Sequence, residues 1–297
     1  MSFFERNRNV ILLHFTVLIW GFTGVLGELI TVSALQLVWY RVLIAAVTLF
    51  FYLIFTKKKI TVPIKDMVNF LGVGALVGLH WIFFFHGIKI ATVSVVLVTL
   101  SSLTLFTAIL EPLFYKKRIS AGDVVVGLLI ILGIYLIFKF EFQYWKGIVF
   151  GLLAALCASI FSILNGKMVK DNSPTIITFY EMIGAWVSVS VIMLFANDFN
   201  SSMILSYADL FYLLVLGSVC TALAYVLGVA VMKELSAFTV ALTTNLEPVY
   251  GILLAMLIIG QKEKMSIGFY TGALIILGAV FVYPVIRKKL QNRKRIG

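Results

Sequence analysis

Apolar residues along this chain fall into long unbroken runs, separated by short polar or basic punctuation. Strict alternation, the mark of a half-buried strand, is absent from them, and most runs are too apolar all round to leave a solvated helix face. A helix needs about 20 apolar residues to cross a hydrocarbon core of roughly 30 Å. Ten runs meet that length, near 10–30, 34–55, 67–87, 92–115, 121–138, 147–166, 175–196, 209–231, 237–260 and 266–286. Open sheet edges find no hydrogen-bond partners in lipid, so each run is expected to be helical. The pattern predicts an all-α polytopic membrane protein with ten transmembrane helices.

Composition agrees. The chain is 62% hydrophobic and only 12% charged, about half the charge of a globular domain, so its excess apolar surface must face lipid. Cys157 and Cys220 fall inside apolar runs and give neither a disulfide framework nor a metal-binding spacing. Arg6 and Arg8 before the first run imitate a signal peptide. The run lacks a small-x-small cleavage site, however, and is expected to stay as the first helix.

A net charge of +11 invites a nucleic-acid reading, but the distribution of basic residues points elsewhere. With the N-terminus inside, ten spans place 18 of the 24 Lys and Arg residues on the cytoplasmic side. Outside lie Lys89, Lys139, Lys146, Lys262 and Lys264, and Arg41 sits within a span. The positive-inside bias of short loops gives this asymmetry, so both termini are expected to be cytoplasmic. The basic tail, 287–297, is then suited to anionic lipid headgroups, and no nucleic-acid partner is expected.

The chain also repeats itself. Gly127-Leu-Leu-Ile-Ile-Leu-Gly133 recurs 145 residues later as Gly272-Ala-Leu-Ile-Ile-Leu-Gly278, and Trp39-Tyr40-Arg41 faces Phe179-Tyr180-Glu181 at an offset of 140. Helices one to five (10–138) therefore match helices six to ten (147–286). Five is odd, so the second copy enters the membrane from the opposite side. Such an inverted five-plus-five repeat places a binding site near the midplane, between the copies.

At this point the residues resemble the EamA type of the drug/metabolite transporter superfamily. Trp20-Gly21-Phe22-Thr23-Gly24 is similar to that family's opening motif, and Arg41 stands where it often carries an arginine. Leu246-Glu247-Pro248-Val249, followed by Gly260-Gln261-Lys262-Glu263 and Gly272…Gly278, resembles the end of its second repeat. The resemblance implies a secondary transporter, often an exporter of amino acids or other small metabolites, with helices one, three, four, eight and nine around the path. This chain departs from the pattern where Ser101-Ser102-Leu103-Thr104 stands opposite Leu246-Glu247-Pro248-Val249, and where Lys116-Lys117-Arg118 replaces a glutamate.

Ionisable groups inside spans cost roughly 2.5–3.5 kcal/mol on insertion scales, so each asks for a reason. Glu247 lies about 15 Å deep by helix rise, with Thr243, Thr244 and Gly251 on its face and Pro248 freeing a backbone carbonyl. It is a candidate proton carrier, or a structural residue that locks helices together; its repeat mate, Ser102, cannot ionise. Arg41 and Glu181 occupy matching positions, and Arg41 is a candidate to attract a substrate carboxylate, to gate, to snorkel, or to pair with a glutamate. Trp20, Trp81 and Tyr225 are candidate aromatic walls, with Ser102 and Asn245 beside them near the midplane. Glu111 is expected to pair with Lys116, and His14, His80 and His86 are expected mainly to pack. No phosphate-binding loop or metal cluster is visible, so neither cofactor nor metal is expected. The expected function is a secondary transporter in the cell membrane, exporting small organic metabolites and open to proton coupling, rather than an enzyme. A lipid-modifying membrane enzyme and a passive facilitator channel remain the alternatives.

Overall fold

The structure is a computed structural model that describes the backbone of residues 3–116 and 121–296, and the side chains of 8–116, 122, 125–279, 281 and 282. The side chains of Arg6, Lys117 and Arg118, and of the basic tail from Arg287 onward, lie outside the described residues. The α-helices run in the order α1 (Phe3–Leu29), α2 (Ala34–Phe55), α3 (Ile64–Ile90), α4 (Val93–Leu100), α5 (Leu103–Phe114), α6 (Ala121–Phe140) and α7 (Trp145–Met168). They continue as α8 (Pro174–Ala196), α9 (Tyr207–Gly217), α10 (Ala224–Val231), α11 (Ala237–Thr244), α12 (Leu246–Ile258) and α13 (Ile267–Ile296). Among the described residues, eight helical stretches are long and apolar enough to cross a membrane, and shorter apolar helices lie at 125–140 and 267–279. Side chains such as Phe55, Phe195, Leu257 and Leu274 are more than 70% exposed on the flank of the bundle. In water that surface would be a liability; against acyl chains it is the expected face.

Three runs expected as continuous helices are interrupted. Between α4 and α5 the Ser101 and Ser102 amides bond back three residues, to Val98 and Thr99. Between α11 and α12 the Asn245 amide does the same, to Leu242. Each break is one tight turn of the 3₁₀ kind, and the two lie 144 residues apart. Between α9 and α10 the interruption is a π-helical segment, Ser218–Leu223. Helix starts are marked by side-chain caps: Ser33 for α2, Thr92 for α4, Ser206 for α9 and Ser236 for α11, each accepting an amide proton three residues on.

Packing follows the repeat. α1 lies against α12 and α10, as α7 lies against α4, α5 and α3; α2 crosses α8, and α6 crosses α13. Glycines set the closest approaches. A Cβ on Gly74 of α3 would collide with the backbone carbonyl of Glu181, and one on Gly184 of α8 would collide with the backbone of Leu71. The mate of that crossing is α9 against α2, where a Cβ on Gly217 would come 3.0 Å from the carbonyl oxygen of Arg41. Arg41 and Glu181, paired by sequence, thus receive equivalent glycines from equivalent neighbours. Without a hydrophobic driving force between helices in lipid, such close backbone contact is a main source of association.

The loops gather into two ends. At the first, Lys262 pairs with Glu28, and Lys89 donates to the Ile30 carbonyl. Asp209 accepts the Thr31 amide and hydroxyl, both at 2.7 Å, and Asp198 accepts from Ser33. At the second end Tyr180 donates to the Ile60 carbonyl and Lys170 to that of Met232. Glu111, expected to pair with Lys116, instead is seen accepting the Phe238 amide at 2.9 Å, in the first turn of α11.

The α3–α8 crossing generates a paired test. Gly74→Ala forces the two backbones apart and is expected to cost about 1–3 kcal/mol. Gly72→Ala, on an open position of the same helix, should be neutral or stabilising by up to about 1 kcal/mol. Thermal melting of the purified variants, followed by loss of the monodisperse peak, separates the two outcomes.

Candidate functional site

Among the described residues Arg41 is the largest fully buried side chain, 1% exposed, and it is polar. It therefore neither snorkels nor reaches a membrane surface. Its Nε donates to Thr221 Oγ1 at 2.6 Å, and its Cζ sits 4.1 Å from the centre of the Trp81 ring and 5.3 Å from that of Phe85. Thr221 takes this position because of the π-helical turn: its own hydroxyl donates to the carbonyl of Leu216, five residues back, at 2.6 Å. A π turn rotates the following side chains relative to an α-helix, and single π turns are frequent at functional sites. Nη1 of Arg41 is buried without a protein partner.

On the repeat mate, Glu181 is fully buried. Asn165 Nδ2 lies 3.4 Å from its Oε2 and donates to the Tyr225 hydroxyl at 3.0 Å, so one amide links the carboxyl group and the phenol. Oε1 of Glu181 has no protein partner. Among the described residues the one ion pair within 4.0 Å is Lys262 with Glu28. Arg41, Glu181 and Glu247 thus share one buried region with none of them in direct charge contact. Left uncompensated, such groups are strongly destabilising; they are kept where something else is to be bound.

That region encloses a cavity of about 90 Å³. At roughly 10–15 Å³ per water centre, it has room for several waters or a small organic molecule. Trp20, Arg41, Trp81, Tyr225 and Glu247 all line it, so five of the seven sequence candidates are brought together. Asn245 lines a smaller adjoining chamber of about 10 Å³. Ser102 lines neither; it is fully buried in the α4–α5 turn, with its hydroxyl unpartnered. His80, expected to pack, also lines the cavity, with Nδ1 2.8 Å from the Ala154 carbonyl, while His14 and His86 are exposed.

Sequence reasoning missed Asn165 and Phe161, both on the cavity wall. Asn165 was findable as a lone amide in an apolar run; Phe161 was not, among so many aromatics. Thr221 depends on a π turn that no spacing announces. The wall extends to Met232, at the second end, but towards the first end it stops at Phe84, Trp20 and Thr23. No group of three His, Cys, Asp or Glu side chains that could hold a metal ion occurs among the described residues.

Both halves of the chain, 7–139 and 145–283, match the model of the EamA-like transporter family. The chain belongs to that family. Its membership makes this a multi-pass membrane protein of a transporter family and fits the two-repeat architecture. No curated protein matches the chain. A solved structure described as "Crystal structure of protein" is similar over 94% of this chain and 98% of its own, with a TM-score of 0.70 at 15% identity. At that identity the likeness concerns the fold alone.

The Arg41–Thr221 contact gives a prediction. Thr221→Val leaves the guanidinium Nε buried without an acceptor. It should cost about 1.5–3 kcal/mol, the range for a hydrogen bond to a charged group. Ser218→Ala, on the exposed side of the same turn, should cost far less. Chemical or thermal denaturation of both variants checks the order.

Proposed function

We propose that this EamA-family protein is a secondary transporter of the cell membrane that exports small organic metabolites, amino acids foremost, by alternating access. The observation that carries the reading is the cavity: a buried guanidinium and a buried carboxyl group on one aromatic-walled void, contributed by opposite repeats. A zwitterion presents the complementary pair. Its carboxylate suits Arg41, whose Nη1 has no protein partner; its ammonium suits Glu247, with cation–π support from the surrounding rings. The substrate's own charges would then supply the compensation that the protein leaves out.

The reading includes ten spans with both termini in the cytoplasm. The 18-to-5 distribution of basic residues supports that orientation. Under it, the end at Met232 is cytoplasmic, and the cavity extends towards it while the outer end is held by the Asp209, Asp198 and Lys262 contacts. This is the loading state of an exporter. A cysteine introduced at Ser201, in the exposed segment after α8, should react with an impermeant thiol reagent outside intact cells. One introduced at Asn292 should react only after the membrane is opened. The reverse pattern overturns the topology.

Glu247 is the proposed proton carrier. Its carboxyl group must change protonation between a cavity open inside and one open outside for a pH gradient to drive export, and such linkage is reciprocal. Glu247→Gln keeps the shape and hydrogen bonding while removing titration. In proteoliposomes loaded with a labelled amino-acid mixture, the variant should still exchange internal for external substrate, with weakened affinity because the ammonium loses its charged partner, yet lose at least tenfold in pH-driven accumulation. Full accumulation by the variant makes Glu247 structural; absence of exchange by the wild-type protein with any metabolite pool overturns transport itself.

A further inference from the structure

The chamber beside the main cavity carries more than packing. It lies where the two helix breaks meet, with Ser101 from the α4–α5 turn and Thr244, Asn245 and Glu247 from the α11–α12 turn on its wall. Its volume of about 10 Å³ is that of a single water or a small ion, by the same measure as before. The remaining lining residues are leucine, alanine and proline.

The polar atoms on this wall are oxygens. Asn245 is 2% exposed, and its amide orientation is fixed by its neighbours. Nδ2 donates to Thr104 Oγ1 at 2.6 Å and to the Ala241 carbonyl at 2.8 Å, so a flipped amide would set Oδ1 against a carbonyl oxygen. Oδ1 is thereby the atom left over, and it has no protein partner. Ser101, 3% exposed, likewise has an unpartnered hydroxyl oxygen. The Thr244 hydroxyl donates to the Val240 carbonyl at 2.9 Å, leaving its lone pairs free. Glu247 lines both the chamber and the main cavity.

We infer that this chamber is a binding site for a small hard monovalent cation, sodium, held by Ser101, Thr244, Asn245 and Glu247. Hard cations take oxygen ligands such as carboxylates, amide carbonyls and hydroxyls. Interrupted helices in membrane proteins expose such oxygens where a cavity makes the interruption tolerable. Charge selects a monovalent ion: Glu247 is the one carboxyl group among the residues lining the chamber, so one positive charge there balances it. That charge is sodium in the chamber or a proton on Glu247, and the two exclude one another. The inference rests on the transport reading for its use, as a coupling ion, but not for the existence of the site.

The titratable groups that share the cavity with Glu247 are Arg41 from α2, His80 from α3 and Tyr225 from α10, with Glu181 of α8 linked to Tyr225 through Asn165. Cys220 lies near Arg41. Among the described residues, α1 and α4, which pack on α12, place no titratable side chain on either void. Acidification that protonates Glu247 removes a ligand, so sodium binding should weaken as pH falls.

The test uses the full-length protein purified in detergent, without substrate. Its melting temperature is followed while sodium chloride replaces choline chloride at constant ionic strength, with potassium chloride as a second reference. A saturable rise of several degrees specific to sodium is expected, together with one saturable site for ²²Na⁺. Ser101→Ala should melt at or above the wild type in choline, because it removes a buried unpartnered hydroxyl, and should lose the sodium response. An equal rise in all three salts, no rise with no ²²Na⁺ binding, or an undiminished response in Ser101→Ala each overturns the site. Should the variant not fold, the wild-type pH series decides: a sodium shift that shrinks towards low pH supports the site, and one independent of pH overturns it. Exchange of metabolites in proteoliposomes is measured separately, so loss of the sodium site leaves transport standing, and the converse.

Discussion

Lipid offers no hydrogen bonds, and that single constraint shapes everything else in this protein. Each amide in the hydrocarbon must be satisfied by its own helix unless protein or enclosed water supplies a partner. Irregular backbone is therefore affordable in few places. Here the turns at Ser101–Ser102 and at Asn245 lie against a central void, and the π segment at Ser218–Leu223 reaches the main cavity through Thr221, bonded to the lining Arg41. Their free polar atoms then have nowhere to point but inward. The outer flank of the bundle stays regular and apolar, and the chemistry concentrates in the middle.

The second determinant is pseudo-symmetry. Arg41 and Glu181 are repeat mates, and each has its backbone carbonyl against a glycine, Gly217 and Gly74, themselves 143 residues apart. The backbones are equivalent while the side chains carry opposite charge. The same holds at the helix breaks, where Glu247 stands opposite Ser102. A strictly symmetric site would place like charges together at the midplane, at high electrostatic cost in a medium of low dielectric. Divergence between the copies removes that conflict and gives the cavity a cationic and an anionic group of separate origin. A polar substrate, rather than a purely apolar one, suits such a site.

Much of this was legible in the chain. Helical runs are dictated by bilayer thickness, so an all-helical, multi-pass chain followed from counting apolar residues; among the described residues eight stretches are long and apolar enough to cross a membrane, and shorter apolar helices fall within two further runs. Glu247, Arg41 and the aromatic candidates stood out because a polar or bulky group in an apolar run needs a reason. What the sequence did not disclose was local geometry. Ser101 and Asn245 look compatible with an unbroken helix, and whether a tight turn forms there depends on the helices that pack around it. Thr221 is one threonine among many until the π turn aims it at Arg41. Glu111 read as a partner for Lys116, five residues on, because local spacing was the only guide; the Phe238 amide it accepts is 127 residues away.

The caps of the two half-helices show how the architecture relates its two ends. Thr92 accepts the Val95 amide at the start of α4, and 144 residues later Ser236 accepts the Thr239 amide at the start of α11. In each case a carboxylate of the opposite repeat takes the amide just before: Glu263 accepts from Ser94, and Glu111 from Phe238. A carboxylate at a helix N-terminus is favoured by the aligned peptide dipoles as well as by the hydrogen bond. The devices are the same in kind. Glu263 is fully buried and also takes the Val93 amide and the Ser94 hydroxyl. Glu111 is half-buried. Each clasp joins one repeat to the other at opposite ends of the bundle, so a movement of one repeat against the other would act on both.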